Sequence, residues 1–371
     1  MAIHDIQQIS GRAGCGAAGP ELPHGARPRT RPTAPAGADP ASRPARRDDV
    51  ALRPVHHGTR PDEDPGPRPD RRDAGGGPAI RRVSVIGCGL IGTSVALALR
   101  RLGVQVTLAD HDPRSLLQAV RMGAGVALPA EAPPADVVVV ATPPSTVAAT
   151  LREAQARGLG AVYTDVASTK ARILGEAALA GCDLRSYVPG HPMAGRELSG
   201  PGAARADLFT DRRWALCPHP QASPHAMRAV GELVAACGAR AVLIGPQEHD
   251  RAAAAVSHAP YVVSAALAAR FADADRSALS LAGTGLWDVT RVAGSPAGLW
   301  CDILGQNAEP VAEHLEAVAR DLAAVASALR APGGTASGAV AELLGRGNRG
   351  RELIVGAYPA VTEPAQESAA A

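Results

Sequence analysis

Aromatic residues make up only 2% of the 371-residue chain: three Trp, four Tyr and two Phe. Ring packing cannot carry the core, so small aliphatic side chains, Ala above all, must fill it. Cysteine is sparse and scattered: Cys15, Cys88, Cys182, Cys217, Cys237 and Cys301 contain no C-x-x-C pair. A disulfide framework or zinc ribbon is thereby excluded as the organising device, and no metal site is expected. No secretory apolar segment opens the sequence, so a reducing, cytoplasmic setting is the expectation. An excess of one charge is also lacking. The net charge is +2, and it arises within residues 1–79, which hold 12 Arg against 10 acids. No basic face remains for a phosphate backbone, so nucleic acid is not an expected partner. The one membrane-like stretch, 252–269, is broken by Ser257, His258 and Pro260 and bracketed by Arg251 and Arg270. It predicts a buried, bent helix and no membrane partner.

Residues 1–79 hold 13 of the 32 prolines and no Phe, Trp or Tyr, which predicts a disordered leader. Residues 331–371 are Gly- and Ala-rich and predict a flexible tail, with one short amphipathic piece at Val340–Leu344. Between them the pattern divides into an alternating strand and helix region, 80–245, and a helical region, 246–330.

Arg82 to Ile86 is a β-branched run that enters Gly87-Cys88-Gly89-Leu90-Ile91-Gly92, after which Ser94 to Leu102 reads as a helix. Gly87 permits a tight turn, Gly89 lets backbone approach a pyrophosphate, and Gly92 lets helix and strand pack closely. The amides of Leu90 and Ile91 open the helix and supply donors at its positive end. A second strand, Val104 to Ala109, ends in Asp110, placed to accept from adenosine ribose hydroxyls and to repel a 2′-phosphate. NAD is therefore expected over NADP. Asp136 to Ala141 is a further strand run, broken by Thr142-Pro143-Pro144, with Thr142 at the expected cofactor edge; Thr146 to Arg157 returns as helix, and Val162 to Val166 is the next strand. This rhythm predicts an α/β fold with a mostly parallel, Rossmann-type sheet and ligands at the strands' carboxyl ends.

Candidate chemistry follows the strands. Asp165-Val166-Ala167-Ser168-Thr169-Lys170 opens a helix over Ala171 to Ala180. Ser168 reads either as its N-cap or as a polar group beside the cofactor. Lys170 is the only lysine in the chain. Either an ammonium is required there for its compact charge, or it sits on a solvated helix face. Leu184 to Val188 leads into Gly190-His191-Pro192-Met193-Ala194-Gly195 and places His191 in a loop after a strand. An imidazole can take an alcohol proton at neutral pH. In the helical region, Pro260 within Ser257-His258-Ala259-Pro260-Tyr261 should kink its helix. Asp288 and Arg291 read either as a surface helix pair or as an oriented fork for a carboxylate.

The order of glycine turn, D-V-A-S-T-K, H-P-M-A-G-R-E, S-H-A-P and D-V-T-R followed by W-C-D-I-L-G-Q-N resembles the prephenate and arogenate dehydrogenases from about Val83 to Leu329. The resemblance implies an N-terminal NAD domain, an all-helical second domain that forms a homodimer, and oxidative decarboxylation of prephenate to 4-hydroxyphenylpyruvate in tyrosine biosynthesis. It further implies His191 as the catalytic base, Ser168 as its polar neighbour and Arg291 as the ring-carboxylate ligand. His258, Tyr261 and Trp300 would line the substrate pocket, with Lys170 a further substrate contact. Many relatives carry His where this chain has Tyr261, so arogenate and 4-amino-4-deoxyprephenate stand as alternative substrates. A different β-hydroxyacid dehydrogenase and an NAD-responsive binding protein without chemistry are the rival classes. Relatives often continue into an ACT domain after a piece like Arg346-Gly347-Asn348-Arg349-Gly350-Arg351, whereas this sequence stops about 20 residues later. Tyrosine feedback through such a domain is expected to be absent.

Overall fold

The structure, a computed structural model, describes residues 80–195, 198–331 and 338–357. The expected leader, with Cys15, lies outside them. Six strands form the first sheet: β1 (Arg82–Ile86), β2 (Gln105–Ala109), β3 (Val126–Ala127), β4 (Ala135–Val140), β5 (Gly160–Asp165) and β6 (Tyr187–Val188). All pair in parallel, in the order β3-β2-β1-β4-β5-β6. Parallel strands need covered crossovers, here α1 (Leu90–Arg101), α2 (Pro113–Arg121), α3 (Val147–Ala156) and α4 (Ala171–Leu179). Val137, Val138, Val139 and Val140 are all buried, which is why β4 reads as an unbroken apolar run. The strand order reverses between β1 and β4, and that reversal opens a crevice at their carboxyl ends.

A second sheet, which sequence periodicity does not reveal, carries the chain away from the first. It comprises β7 (Gly190–Pro192), antiparallel to β8 (Arg213–Leu216), which is parallel to β9 (Arg240–Leu243). The helix α5 (Pro224–Ala236) joins β8 to β9 and starts on a Ser223 cap that accepts from the Ala226 amide. β7 runs hard against the end of β5: a Cβ on Gly190 would lie 2.9 Å from the Asp165 carbonyl oxygen and 3.0 Å from the Trp214 indole nitrogen. Only glycine fits there, and this contact sets where the next residue, His191, stands.

The helical region begins with α6 (Pro246–Ala253), a π-turn (Ala254–His258) and α7 (Ala259–Ala268). Pro260 has no amide for the carbonyl four residues earlier, and the wide turn absorbs the misfit, so the helix bulges rather than breaks. The run Pro246–Phe271 is long and apolar enough to cross a membrane, with a mean hydropathy of 1.4. It nevertheless buries His249, Asp250 and His258, each hydrogen-bonded to protein groups. Then come α8 (Arg276–Leu279), α9 (Thr284–Thr290), α10 (Ala297–Gln306), α11 (Ala308–Arg330) and α12 (Gly338–Ala357). The last corrects an expectation: 20 residues of the supposed flexible tail are helical. Five glycines make α12 a poor helix by propensity, so its packing on α11, with an Arg346–Asp321 ion pair at 2.8 Å, must supply what local preference withholds.

Candidate active site

The glycine turn has the shape its residues imply. Gly87 has φ +106°, and a Cβ there would lie 2.4 Å from the Ala141 carbonyl oxygen. A Cβ on Gly92 would lie 2.0 Å from the Gly87 carbonyl oxygen, so α1 can only pack this close without one. Around Gly89 there is open space to 4 Å. Gly89, at the N-cap of α1, has no side chain to satisfy the first amides, and the first turn, with the half-buried Leu90 and Ile91, holds no acid. Asp110 leaves β2 and reaches back to the turn, accepting from the Cys88 amide at 2.5 Å and the Asp112 amide at 2.8 Å. Burial, and secondarily this carboxylate, pushes the Cys88 thiol up to about 12, so it stays protonated. Thr142, just past β4, has a buried hydroxyl with no hydrogen-bond partner among the described residues. Such an orphan is unusual in a finished core and marks a place where a ligand group completes the bonding. Bare glycine backbone, free helix amides, an acid at the second strand and an unsatisfied hydroxyl together fit a dinucleotide.

Next to this cradle lies a buried ionic brace. The Lys170 ammonium is wholly enclosed, donating to the Asp165 carboxylate and, at 2.6 Å, to the Gly190 carbonyl. Asp165 also accepts from the Tyr187 hydroxyl at 2.6 Å and the Ala167 amide at 2.9 Å. Burial first, and the Asp165 charge second, hold the Tyr187 phenol well above its ordinary value, so it remains a donor. This corrects the placement of Lys170 at the substrate: an ammonium without exposed surface cannot meet one. Its work is to tie β5, β6 and β7 together under His191.

His191 is half-buried on β7, and its Nδ1 lies 2.9 Å from Nε2 of His249 on α6. His249 Nδ1 in turn lies 2.8 Å from Asp250 Oδ1. Burial, then the neighbouring His249, Lys170 and His258, hold the His191 imidazole well below its ordinary value of 6.5. Asp250 also accepts from the Lys170 and Ala171 amides, both at 2.8 Å. A carboxylate from the helical region thus caps α4 of the sheet region. Ser168, open to the N-cap reading, does not cap α4: the N-cap position falls on Lys170, and Ser168 stands half-buried two residues before it.

The helical region adds an aromatic cluster. Trp300 stacks on Tyr261 with centroids 3.6 Å apart and planes 5° from parallel, and meets His258 edge-on at 6.1 Å. His258 is buried at the π-turn, 3.1 Å from Asn307 Nδ2, and burial pushes it down to about 4. Asn307 also donates to the Asp250 carbonyl at 2.8 Å, which links the cluster to the histidine chain. Arg291 lies on an exposed 3-10 turn, Arg291–Gly294. That turn is braced to α7 on both sides, by Ser264 to the Val289 carbonyl at 2.7 Å and by Tyr261 to the Ser295 carbonyl at 3.4 Å. Two further bonds join the regions: the Ser145 amide to Asp302 at 3.1 Å and Arg172 to the Gly305 carbonyl at 3.0 Å. Sequence reasoning assigns no role to His249, Asp250 or Asn307. The adjacent His249-Asp250 pair at a helix start was the available signal.

Comparison with known proteins agrees with this architecture. Residues 95–243 match the family described as prephenate dehydrogenase, nucleotide-binding domain, and residues 245–342 its dimerization domain. "Probable prephenate dehydrogenase NovF" of Streptomyces niveus is 41% identical over 295 residues, 77% of this chain and 81% of that one. The prephenate dehydrogenase of Bacillus subtilis is 28% identical over 251 residues, 65% of this chain and 68% of its own. Among solved structures, Synechocystis arogenate dehydrogenase superposes with a TM-score of 0.60 at 25% identity, covering 74% of this chain and 99% of that one. The Aquifex aeolicus prephenate dehydrogenase, solved with hydroxyphenyl propionate and NAD+, shares the fold at TM-score 0.66 and 24% identity, with coverage of 74% and 99%. With both domains matched in succession and a close relative aligned across most of either chain, this protein belongs to the prephenate dehydrogenase family.

Proposed function

We propose that the chain catalyses the NAD-dependent oxidative decarboxylation of prephenate to 4-hydroxyphenylpyruvate, the aromatising step toward tyrosine, as a cytoplasmic homodimer. The observation that carries this reading is the placement of His191, on β7 directly after the Gly190 carbonyl that Lys170 holds and 2.9 Å from His249 of the helical region. NAD, held by Gly87, Gly89, Leu90, Ile91, Gly92, Asp110 and Thr142, would accept the hydride from the ring carbon that bears the hydroxyl. His191 takes the hydroxyl proton as that carbon is oxidised. It returns the proton to the same oxygen when the bond to the ring carboxylate breaks, carbon dioxide leaves and the ring becomes aromatic. Ser168 is a second polar contact for the hydroxyl, and Arg291 grips the ring carboxylate through a guanidinium fork. His258, Tyr261 and Trp300 form the apolar wall for the ring. Aromatisation makes the step effectively irreversible, so orientation, one base and one carboxylate anchor suffice.

Following NADH formation with prephenate, arogenate and 4-amino-4-deoxyprephenate tests the reading. Turnover of prephenate is expected; tight NAD binding with turnover of none of the three would favour a binding protein instead. Tyr261, its ring engaged by Trp300, supports a second reading in which the amino-acid side chain of arogenate is preferred. Asp110→Ser is expected to raise kcat/KM with NADP relative to NAD, since the acid that would repel a 2′-phosphate is gone. An unchanged cofactor ratio would remove Asp110 from this role. Homodimer formation draws on the dimerization-domain match and on large exposed apolar side chains in the helical region, Leu281 at 87% and Trp287 at 71%. Sedimentation at micromolar concentration should give twice the chain mass.

Stability should also depend on acid. His258 binds a proton far less readily folded, at about 4, than unfolded, near 6.5. Its contribution is complete above pH 6.5 and is lost as pH falls toward 4, by about 3 kcal/mol. Denaturant titrations across that window should show the decline, and His258→Gln should flatten it.

A further inference from the structure

We infer that His249 and Asp250 act as positioning residues that hold His191 in one tautomer, with its proton on Nδ1 and its Nε2 lone pair left for the substrate. This rests on the reading of His191 as the base. The argument is one of donors and acceptors along a three-membered chain. Asp250 receives the backbone amides of Lys170 and Ala171 and faces His249 Nδ1 at 2.8 Å. A carboxylate engaged by amide donors acts as an acceptor only, so His249 must present its proton at Nδ1. The other ring nitrogen, His249 Nε2, then has a lone pair and no proton. It lies 2.9 Å from His191 Nδ1, and a hydrogen bond there requires His191 to donate from Nδ1. His191 Nε2 is thereby left unprotonated.

The chain does a second thing when chemistry occurs. As the substrate O–H bond breaks and an N–H bond forms at Nε2, positive charge spreads over the His191 ring. Its Nδ1–H then becomes a stronger donor into His249, and the charge lies two hydrogen bonds from the Asp250 carboxylate, across the His249 ring. No proton need leave the chain, and none is lost to water, because the same proton goes back to the product oxygen. His249 and Asp250 are both buried, so solvent does not compete for either link.

The arrangement also explains why the two residues sit in the helical region rather than beside His191 in sequence. Asp250 accepts the first amides of α4, the helix that follows β5, and so fixes the relay at the seam between the regions. Asn307 donates to the Asp250 carbonyl and to His258, holding the start of the chain from the other side.

Two measurements test the inference. Long-range nitrogen–proton NMR on the full chain without substrate should show His191 protonated at Nδ1 and bare at Nε2; a proton found on Nε2 overturns it whatever the activity. In kinetics, His249→Leu removes the acceptor and is expected to lower kcat by about a hundredfold with KM and NAD affinity unchanged, the pattern of a lost orientation rather than lost binding. His249→Gln, whose amide oxygen can still accept from His191, should recover most of that loss. A His249→Leu enzyme with wild-type kcat, or a Gln variant no better than Leu while equally well folded, overturns the inference. Should His249→Leu fail to fold, the NMR assignment of the unaltered protein decides alone. If no substrate is turned over by the wild type, the functional reading fails while the tautomer assignment is still decided by NMR.

Discussion

His191→Asn is expected to lower kcat by about 10² to 10⁴, the usual weight of a general base, while NAD affinity stays the same. Asparagine keeps a polar group of similar reach but cannot take a proton near neutrality. Because the imidazole is held well below 6.5, the wild-type rate should remain base-competent into mildly acidic solution, and its acid limb should lie below 6.5. The sign follows from the shift: a depressed value keeps the neutral form, which is the active one, at lower pH. Steady-state rates from acid to neutral pH check both statements together. Near-normal turnover by the Asn variant would remove His191 from the chemistry.

Lys170→Met should be the most damaging single change to the fold, lowering stability by about 3 to 5 kcal/mol. The size comes from what is left behind. Asp165 is fully buried, and without the ammonium its charge has only the Tyr187 hydroxyl and the Ala167 amide to face. The double variant Lys170→Met, Asp165→Asn should recover a good part of the loss, because no unpaired charge remains. Urea denaturation of the three proteins measures this. A single variant within about 1 kcal/mol of wild type would show that the pair does little for stability. The Gly190 carbonyl loses its donor in the same variant, so kcat should fall as well, through displacement of the neighbouring His191.

The nucleotide cradle was legible in the sequence because its logic is local. Gly87, Gly89 and Gly92 serve a turn built within six residues, and Asp110 lies one strand further on. The parallel Rossmann-type sheet and the helical second region were legible for a related reason, since period and β-branched runs are short-range signals. Lys170 was singled out correctly as unusual and misplaced, because its partners Asp165 and Gly190 close around it only once β5 and β7 are adjacent. Ser168 looked like a cap by position, yet the cap is Asp250, 80 residues beyond Lys170, whose amide it accepts. His249 meets His191 across 58 residues and between regions, a pairing no spacing rule encodes. The second sheet escaped notice because its strands are three and four residues long. The helix over Gly338–Ala357 was hidden by its glycines.

The enclosure of Lys170 gives the chain an unusual relation to amine reagents. Apart from the chain terminus, this is the sole primary amine in 371 residues, and the folded protein shields it completely. Amine-selective acylating reagents should therefore leave the lysine side chain untouched under native conditions and modify it once the sheet opens. The rate of that modification, read by mass spectrometry, becomes a clock for global opening that needs no engineered label.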